Sequence, residues 1–485
     1  MVFSSAIFLF AFLPVLYIIY RLVPGIRAKN IVLAVFSLIF YCFGGIEYLP
    51  LLLLSVLLNW GAGRVAGALE SKKARKCVVV IAVILNLCVL AVFKYLDFFI
   101  GNINALLHTS IPLPGIGWPL GISFFTFTGM SYVIEVGRKP KNMSRGFLRV
   151  LIYMSMFPTI VSGPILAYKT TAPQIDSREH SAEKTAQGLR RFILGLAKKL
   201  LVAETVGAVV DGVFSAGVLD ARLAWLGALG YMIQIYFDFS GYSDMAIGLG
   251  KLFGFDIPEN FTQPYIAGSL TDFWKRWHIS LTTWFRNYLY MPMVMSKPLQ
   301  KRYKKQAAKY GRPTANRLAV IIPTVVVWLL TGLWHGPAWT YVLWGLWHGL
   351  FCLLEGVGVL KIDSLRKNAA GKVLSHIYTL LVILIGTVLF RASDLSQAGQ
   401  MFAAMFAGWR FTADATFTLQ RLLTGFSVTA IVVGIVGSLP VVPWLKKHTG
   451  RWGEYASYAV CIVLFALCVA NLAGSGFQPF IYQQF

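Results

Sequence analysis

The sequence predicts an all-α polytopic membrane protein with about 11–13 membrane helices, plus re-entrant and interfacial helices. Of its 485 residues, 57% are hydrophobic and 13% are charged, about half the charged share of an average soluble domain. The mean hydropathy is +0.66, and apolar stretches of the roughly 20 residues needed to cross a bilayer recur from end to end. A soluble α/β enzyme, with short strands between Gly-rich turns, is therefore excluded.

The basic residues predict the topology. The formal net charge is +24, but Lys and Arg lie in short clusters between apolar segments, as they do in cytoplasmic loops under the positive-inside rule. This pattern indicates contact with membrane lipids and argues against nucleic acid as a partner. The clusters are Arg21–Lys29, Lys72–Lys76, Arg138–Arg149, Arg190–Lys199, Lys297–Arg317, Lys361–Lys372 and Lys446–Arg451.

The clusters also order the first five membrane helices. The first helix is followed by Arg27 and Lys29, so the N-terminus is predicted to lie outside. Residues 101–118 contain no Lys or Arg, as expected of an external loop. The predicted helices are Ser5–Val23, Asn30–Phe43, Tyr48–Val65, Cys77–Ile100 and Pro119–Val136.

The next segment, Leu151–Tyr168, is interrupted by Pro158, Gly163 and Pro164. It predicts a broken or re-entrant helix, which is tolerated only where it is buried in protein or lines a cavity. Residues 261–295 are too polar to span, residues 391–425 form a predicted external loop, and the C-terminus is predicted to lie outside. The remaining predicted helices are Phe192–Phe214, Ala224–Leu249, Asn316–Trp334, Trp339–Val357, Val373–Phe390, Phe426–Leu445 and Tyr455–Leu472.

Polar side chains at membrane depth are costly and mark candidate functional positions. The helix ending at Leu249 contains Asp238, Ser240, Ser243 and Asp244. These carboxylates either serve function directly or pair with lysines and cap a broken helix, and both interpretations stay open. The aromatic stretch from position 270 to 292 is typical of an interfacial amphipathic helix, which can also form the wall of a tunnel. Its polar residues are Asp272, Lys275, Arg276, His278, Arg286 and Asn287.

Two histidines occupy the repeated pentapeptide GLWHG. His348 lies within a predicted helix and is interpreted as a packed side chain with one hydrogen bond. His335 ends an apolar run directly before Gly336 and Pro337, where the helical backbone opens. Burial would keep its imidazole neutral and basic, and Gly332 and Gly336 are expected to let a substrate approach closely. His335 is therefore the predicted catalytic residue.

The absence of several catalytic motifs limits the reaction mechanisms that the sequence indicates. No GxSxG, HExxH or GxxxxGK[ST] sequence occurs, so serine-hydrolase, zinc-protease and P-loop mechanisms are not indicated. The six cysteines form no CxxC pair, and neither a metal site nor a bound cofactor is predicted. A histidine without a nucleophile motif favours general-base activation of a substrate hydroxyl.

Eight segments follow one another along the chain: MVFSSAIFLFAFLP, FKYLDFF, PLGISFFTFTGMSYVIEVGR, FPTIVSGPI, DFSGYSDMAIGLGKLFGFDIPENF, TDFWKRWHISLTTWFRNYLYMP, GLWHGPAWTYVLWGLWHG and FRASDLSQA. In this order they resemble the membrane-bound O-acyltransferase (MBOAT) family, in the bacterial branch that includes the membrane subunit of alginate O-acetylation. The resemblance runs nearly from end to end.

The resemblance implies a helical bundle around a transmembrane tunnel, formed by a single membrane domain over residues 1–485. The catalytic core would comprise about residues 118–357, followed by C-terminal helices at about 373–472. The catalytic histidine of the family maps to His335, and its second histidine maps to His278. The further residues predicted to line the tunnel or contact substrate are Trp277, Trp334, Trp339, Arg286, Asp238 and Ser240.

By this resemblance the protein is a multi-pass acyltransferase of the bacterial cytoplasmic (inner) membrane. It would move an acyl group, with acetyl favoured, from a cytosolic thioester to a hydroxyl of an extracytoplasmic carrier or envelope polysaccharide. The thioester would be acetyl-CoA or a carrier-bound acyl group, and a separate extracytoplasmic acyl-transfer subunit is an expected partner. His335 would act as general base, and His278 would orient substrate or stabilise the oxyanion.

One departure and two alternatives bear on this function. Relatives in the branch continue YLYIPLGGNR, whereas this chain reads YLYMPMVMSKPLQKRYKKQAAKYGRP, a longer basic loop that faces the cytosol. This leaves the acceptor and the partner open. D-alanyl transfer to teichoic acid through a carrier-protein thioester is one alternative. The other is a transporter of lipid or acyl donor, although the inverted repeats typical of transporters are not found.

Overall fold

The computed structural model describes residues 1–474, apart from the side chains at positions 442, 443, 446 and 451, and the fold in this range consists of helices joined by turns and loops. Within that range no β-strand occurs. Helices satisfy their own backbone hydrogen bonds, which a bilayer cannot do. The prediction of an all-α polytopic membrane protein is confirmed. The chain divides into two units.

The first unit contains residues 1–196, 242–259 and 472–474. π-Helical turns, each with one extra residue per turn, lie at Phe8–Phe12 before the first helix and at Ala91–Tyr95 between the fourth and fifth. The helices are α1 (Leu13–Leu22), α2 (Gly25–Cys42), α3 (Leu49–Ala68), α4 (Lys72–Leu90), α5 (Leu96–Leu107), α6 (Ile122–Arg138), α7 (Phe147–Ser155), α8 (Phe157–Ile160), α9 (Tyr168–Asp176) and α10 (Ala182–Ala197).

Buried amides join α3 to α4. Asn59 Nδ2 donates to Asn86 Oδ1 over 3.1 Å, and Asn86 Nδ2 donates back to Asn59 Oδ1 over 3.0 Å. Each Nδ2 also donates to a backbone carbonyl one turn earlier in its own helix. Such reciprocal bonds stabilise helix pairs in a membrane, where burial of apolar surface adds little.

The broken helix predicted over residues 151–168 is confirmed. The helical backbone opens between α7 and α8 at Met156, and residues 161–167 are not helical. The segment is buried, and its open backbone groups find partners inside the protein: Ser37 Oγ accepts from Phe157 N, and Tyr153 OH donates to Leu166 O over 2.7 Å. These bonds make an irregular backbone tolerable at membrane depth.

The second unit contains residues 197–241 and 260–471. It includes π-helical turns at Lys198–Ala203 and Arg286–Tyr290. The helices are α11 (Glu204–Phe214), α12 (Ala221–Leu252, which passes into the first unit at residue 242), α13 (Leu270–Trp274), α14 (Ile279–Phe285), α15 (Met291–Val294), α16 (Lys297–Tyr310), α17 (Arg312–Ala319), α18 (Ile321–His335), α19 (Trp339–Gly356), α20 (Ile362–Leu365), α21 (Ala369–Arg391), α22 (Leu395–Ala407), α23 (Ala413–Leu422), α24 (Gly425–Gly437) and α25 (Val441–Gly474).

Two predicted loops are helical instead. The basic loop after the aromatic stretch is α16, because Lys, Arg, Gln and Ala are all good helix formers. The predicted external loop of residues 391–425 contains α22 and α23, whose first turns are capped by Asp394 and Thr412. These helices have only 13 and 10 residues, so the pattern of about 20 apolar residues used for membrane helices did not reveal them. The prediction that residues 261–295 do not span is confirmed, since only short helices occur there.

Six helices within residues 1–474 are long and apolar enough to cross a bilayer, and the pair α23 and α24, bent by 73°, would add a seventh. The other predicted crossings fall on helices that are shorter, broken or more polar, such as α1, α11 and α19. The count of about 11–13 crossings, the central tunnel and the single-domain organisation stay predictions. The six spans are Gly25–Cys42, Ile46–Ala68, Lys72–Leu107, Arg312–His335, Ala369–Arg391 and Trp452–Gly474.

Candidate active site

His335 is the last residue of α18, and Gly336 follows it in an extended conformation. Only 4% of His335 is exposed. Three aromatic rings meet the imidazole edge-on: Trp334, Trp344 and Phe390, with ring centroids 5.0, 4.7 and 5.0 Å away. The structure therefore places the predicted catalytic histidine at a helix end inside an aromatic enclosure that keeps bulk water away.

The GLWHG repeat is explained by the packing of α18 against α19. A Cβ atom at Gly345 would lie 2.5 Å from Trp328 O and 2.9 Å from Gly332 Cα, so the first glycine of each copy lies at the helix crossing. A Cβ atom at Gly332 would meet Tyr341 O, and one at Gly336 would lie 2.5 Å from the Tyr341 ring. The expectation that Gly332 and Gly336 leave room for substrate is therefore wrong, because Tyr341 and Gly345 occupy that space.

We expect Gly345→Ala to destabilise the protein, since real Cβ atoms do not approach a backbone oxygen to 2.5 Å. Gly61→Ala in α3 is the matched control, because a Cβ atom there meets no described atom within 4 Å. That control should gain up to about 1 kcal/mol from helix propensity. The thermal midpoint of the purified protein in detergent would fall for the first variant and stay level or rise for the second. Equal midpoints would show that the crossing is not tightly packed.

His278 is fully buried and has a left-handed backbone conformation, with φ of 44°, directly before α14. Its Nδ1 lies 3.2 Å from Asn260 Oδ1. The same oxygen accepts from Ser280 N at 3.0 Å and from Ser280 Oγ at 2.9 Å. Because a backbone N–H can only donate, Asn260 presents its carbonyl oxygen here, and His278 Nδ1 must carry the proton.

This hydrogen bond sets the chemistry available to His278. Burial lowers its pKa to about 3, so the ring is neutral at physiological pH. With the proton on Nδ1, Nε2 is an acceptor and has no proton to give to an oxyanion. Of the two roles predicted for His278, orientation of a substrate hydroxyl therefore fits the structure, and donation to an oxyanion does not.

Trp334 connects the two histidines. Its ring centroid lies 5.9 Å from that of His278 and 5.0 Å from that of His335. Phe239 of α12 meets the His278 ring edge-on at 4.6 Å. The structure thus brings His278, His335 and Trp334 together within the second unit.

His348 is packed among the rings of Trp274, Trp328 and Trp344, at centroid distances of 5.1, 5.9 and 4.9 Å. A Cβ atom at Gly386 of α21 would meet His348 Nε2. His348 Nδ1 makes no hydrogen bond to any described residue. The interpretation as a packed histidine agrees with this geometry, and the expected single hydrogen bond is not made by Nδ1.

Glu355, at the end of α19, was missed in the sequence. Its carboxylate accepts from Leu270 N at 2.8 Å, from Thr271 N at 2.9 Å and from Thr271 Oγ1 at 2.6 Å. It therefore caps α13, the helix that ends at Trp274, and Tyr378 OH of α21 donates to it over 3.3 Å. A lone carboxylate in an otherwise apolar helix was the signal that could have pointed to it.

The predicted carboxylates of α12 pair with cations. Asp238 Oδ1 lies 2.8 Å from Lys199 Nζ, both side chains are 3% exposed, and Glu204 lies 3.4 Å from the same ammonium. Asp244 lies 2.6 Å from Arg191. Asp238 thus pairs with a lysine, as one of the two interpretations expected, whereas the partner of Asp244 is an arginine. Lys198 Nζ donates to Ser240 Oγ over 3.4 Å, so the π-helical turn directs adjacent lysines toward one helix.

The other predicted lining residues differ in their surroundings. Trp277 is buried, stacked on Phe273 with centroids 5.5 Å apart. Trp339 begins α19 and is 53% exposed, and Arg286 is exposed at the start of its π-helical turn. Tunnel lining by these residues stays a prediction. Within residues 1–474, no three His, Cys, Asp or Glu side chains are placed together as metal ligands.

Comparison with known proteins finds similarity to one protein family and to several acyl-transferring proteins. Residues 143–310 match the family model described as MBOAT, membrane-bound O-acyltransferase family, a range that includes His278 and ends before His335. The chain is 34% identical to the probable alginate O-acetylase AlgI of Pseudomonas syringae pv. tomato over 100% of both chains. It is 31% identical to the peptidoglycan O-acetyltransferase of Helicobacter pylori, over 84% of this chain and 80% of that one. It is also 31% identical to the teichoic acid D-alanyltransferase of Streptococcus thermophilus, over 51% of this chain and 59% of that one.

Proposed function

The chain belongs to the membrane-bound O-acyltransferase family, in the alginate O-acetylase branch, and on this premise we propose that it transfers an acetyl group from a cytosolic thioester to a hydroxyl of an extracytoplasmic polysaccharide or carrier. The main observation behind this proposal is the position of His335. It is the last residue of α18, it is surrounded by aromatic rings, and Trp334 lies between it and His278. An imidazole in that position suits proton transfer to and from a substrate hydroxyl.

In the proposed mechanism, His335 removes the proton as the acceptor oxygen attacks the thioester carbonyl carbon. The C–O bond forms, the carbonyl electrons move onto oxygen, and the C–S bond breaks when they return. His335 then gives its proton to the departing thiolate sulfur. The histidine is regenerated, and the reaction needs no metal or bound cofactor in this scheme.

His278 and Trp334 have separate roles in this proposal. His278 Nε2, an acceptor because Asn260 holds the proton on Nδ1, orients the attacking hydroxyl. Trp334 lies between the histidine rings and carries an indole N–H. We assign that N–H to the developing oxyanion, since a positioned donor at this point contributes about 3 kcal/mol.

The names of the relatives favour acetyl over D-alanyl transfer. Two relatives covering 84% or more of this chain, an alginate O-acetylase and a peptidoglycan O-acetyltransferase, act on polysaccharides by name. The teichoic acid D-alanyltransferase covers about half of the chain. We further propose a bacterial inner-membrane location with both termini outside, a donor that is acetyl-CoA or a carrier-bound acetyl group, and a separate extracytoplasmic subunit that completes the transfer.

Labelled acetyl-CoA given to inverted membrane vesicles from cells expressing the protein tests this function. We expect label in an envelope polysaccharide fraction that is absent from vesicles without the protein, while labelled D-alanine with its carrier gives none. Incorporation of D-alanine alone would instead support the teichoic acid alternative. Transfer of the whole donor across the membrane, with its thioester intact, would identify a transporter.

A further inference from the structure

A strongly basic helical pair lies at one end of the membrane span that terminates in His335. The basic hairpin, residues 297–319, comprises α16 and α17. No Asp or Glu occurs between Asp272 and Glu355. All eight cations of the hairpin are exposed, and none forms an ion pair with a residue in the described chain. They are Lys297, Lys301, Arg302, Lys304, Lys305, Lys309, Arg312 and Arg317.

The hairpin is amphipathic, and a cavity lies between its helices. Lys297, Lys301, Lys304 and Lys305 recur at helical spacing and share one face of α16. Other α16 side chains line a cavity of about 260 Å³ against α17 and the start of α18. Tyr303 OH donates to Asn316 Oδ1 over 3.0 Å and joins the two helices. The cavity therefore lies directly beside the lysine-rich face of α16.

The lining of this cavity is mixed in character. Arg302, Gln300 and Gln306 contribute polar groups, and Leu299 and Ile322 contribute apolar ones. A guanidinium beside side-chain amides suits a phosphate group, and neighbouring apolar residues suit the start of acyl chains. This combination fits the headgroup region of a phospholipid.

The position along the span separates a lipid from a soluble phosphate compound. The span Arg312–His335 has 24 residues, roughly 36 Å at 1.5 Å per residue, slightly longer than the roughly 30 Å hydrocarbon core. α16, which directly precedes this span, therefore lies at headgroup level on the face opposite the His335 end. At that level Leu299 and Ile322 lie where phospholipid acyl chains begin, a position that a soluble phosphate compound does not fill.

We propose that the cavity and the basic hairpin bind the headgroup of an anionic phospholipid at the membrane surface. Clusters of basic residues beside a membrane span attract anionic headgroups in this way. The bound lipid would fix α16 against the bilayer and hold the cytoplasmic end of α17 and α18, the helices that lead to His335.

Native mass spectrometry of the purified full chain tests this proposal, with equal amounts of phosphatidylglycerol and phosphatidylcholine carrying the same acyl chains. We expect wild type to retain phosphatidylglycerol preferentially. The double variant Arg302→Gln, Lys305→Gln should lose that preference by roughly tenfold or more. The matched control, Lys361→Gln with Lys367→Gln, removes two exposed cations outside the hairpin and should keep it. Equal loss in both variants would overturn a specific site and show only a diffuse positive surface.

Two further outcomes would overturn the proposal: no preference in wild type, or displacement of the lipid by an equal concentration of free coenzyme A, which would identify a nucleotide site. Thermal midpoints in detergent check folding, and Lys301→Gln with Lys304→Gln replaces the first variant if that one unfolds. Because lipid retention is measured without acyl transfer, its result is independent of the proposed enzymatic function.

Discussion

Replacing His335 with alanine should lower the rate of acyl transfer by about 10²–10⁴-fold, as is typical when a general base is removed. The imidazole ends α18 within an enclosure of Trp334, Trp344 and Phe390. No other ring in this enclosure can accept and return a proton. Removal of the imidazole should therefore affect the chemical step more than the folding of the chain.

The rate of label transfer into polysaccharide, per amount of folded protein in the membrane, measures this effect. His348→Gln is the matched control, since it changes the histidine of the second GLWHG copy, which packs against Gly386 and three tryptophans. The control should retain activity within about tenfold of wild type. If both variants lose activity equally, or if His335→Ala remains active, His335 is a packing residue and the proposed mechanism fails.

A second comparison separates the roles of the two histidines. In the structure His278 is fixed by Asn260 and stays neutral, so its substitution should weaken substrate positioning rather than remove proton transfer. We therefore expect a change at His278 to raise the KM for the acceptor hydroxyl, whereas loss of His335 lowers kcat.

The six long apolar helices and the helix end at His335 could be predicted because their signals are local. An apolar run of about 20 residues predicts a span wherever it occurs, and a histidine at the end of such a run before Gly and Pro predicts an open helix end. The broken segment near Pro158 was evident for the same reason. In each case the residues that decide the structure are close together in the chain.

The contacts that position the site could not be predicted, because they join residues far apart in the chain. Glu355 caps α13 from 84 residues away, and Asn260 holds His278 from 18 residues away. Nothing near Asn260 indicated which proton position it would impose on the imidazole. The glycines of GLWHG suggested space for a substrate, but their neighbours across the helix crossing fill that space.

Lys199→Met should destabilise the protein by about 3–5 kcal/mol, the usual loss when one partner of a buried ion pair is removed. Lys199 Nζ lies 2.8 Å from Asp238 and 3.4 Å from Glu204. The substitution removes the cation that both carboxylates share. Asp238→Asn should cost clearly less, because Lys199 keeps Glu204 as a partner.

The thermal midpoint of the purified protein in detergent distinguishes these cases. Lys198→Met is the matched control, since the neighbouring lysine donates to the neutral hydroxyl of Ser240, and it should lower the midpoint far less. A triple change of Lys199→Met, Asp238→Leu and Glu204→Leu should recover much of the loss, because it leaves no buried charge unpaired. If Lys199→Met and Lys198→Met lower the thermal midpoint by the same small amount, the buried pair of Lys199 and Asp238 does not stabilise α12. The placement of Phe239 against His278 must then depend on other contacts of that helix.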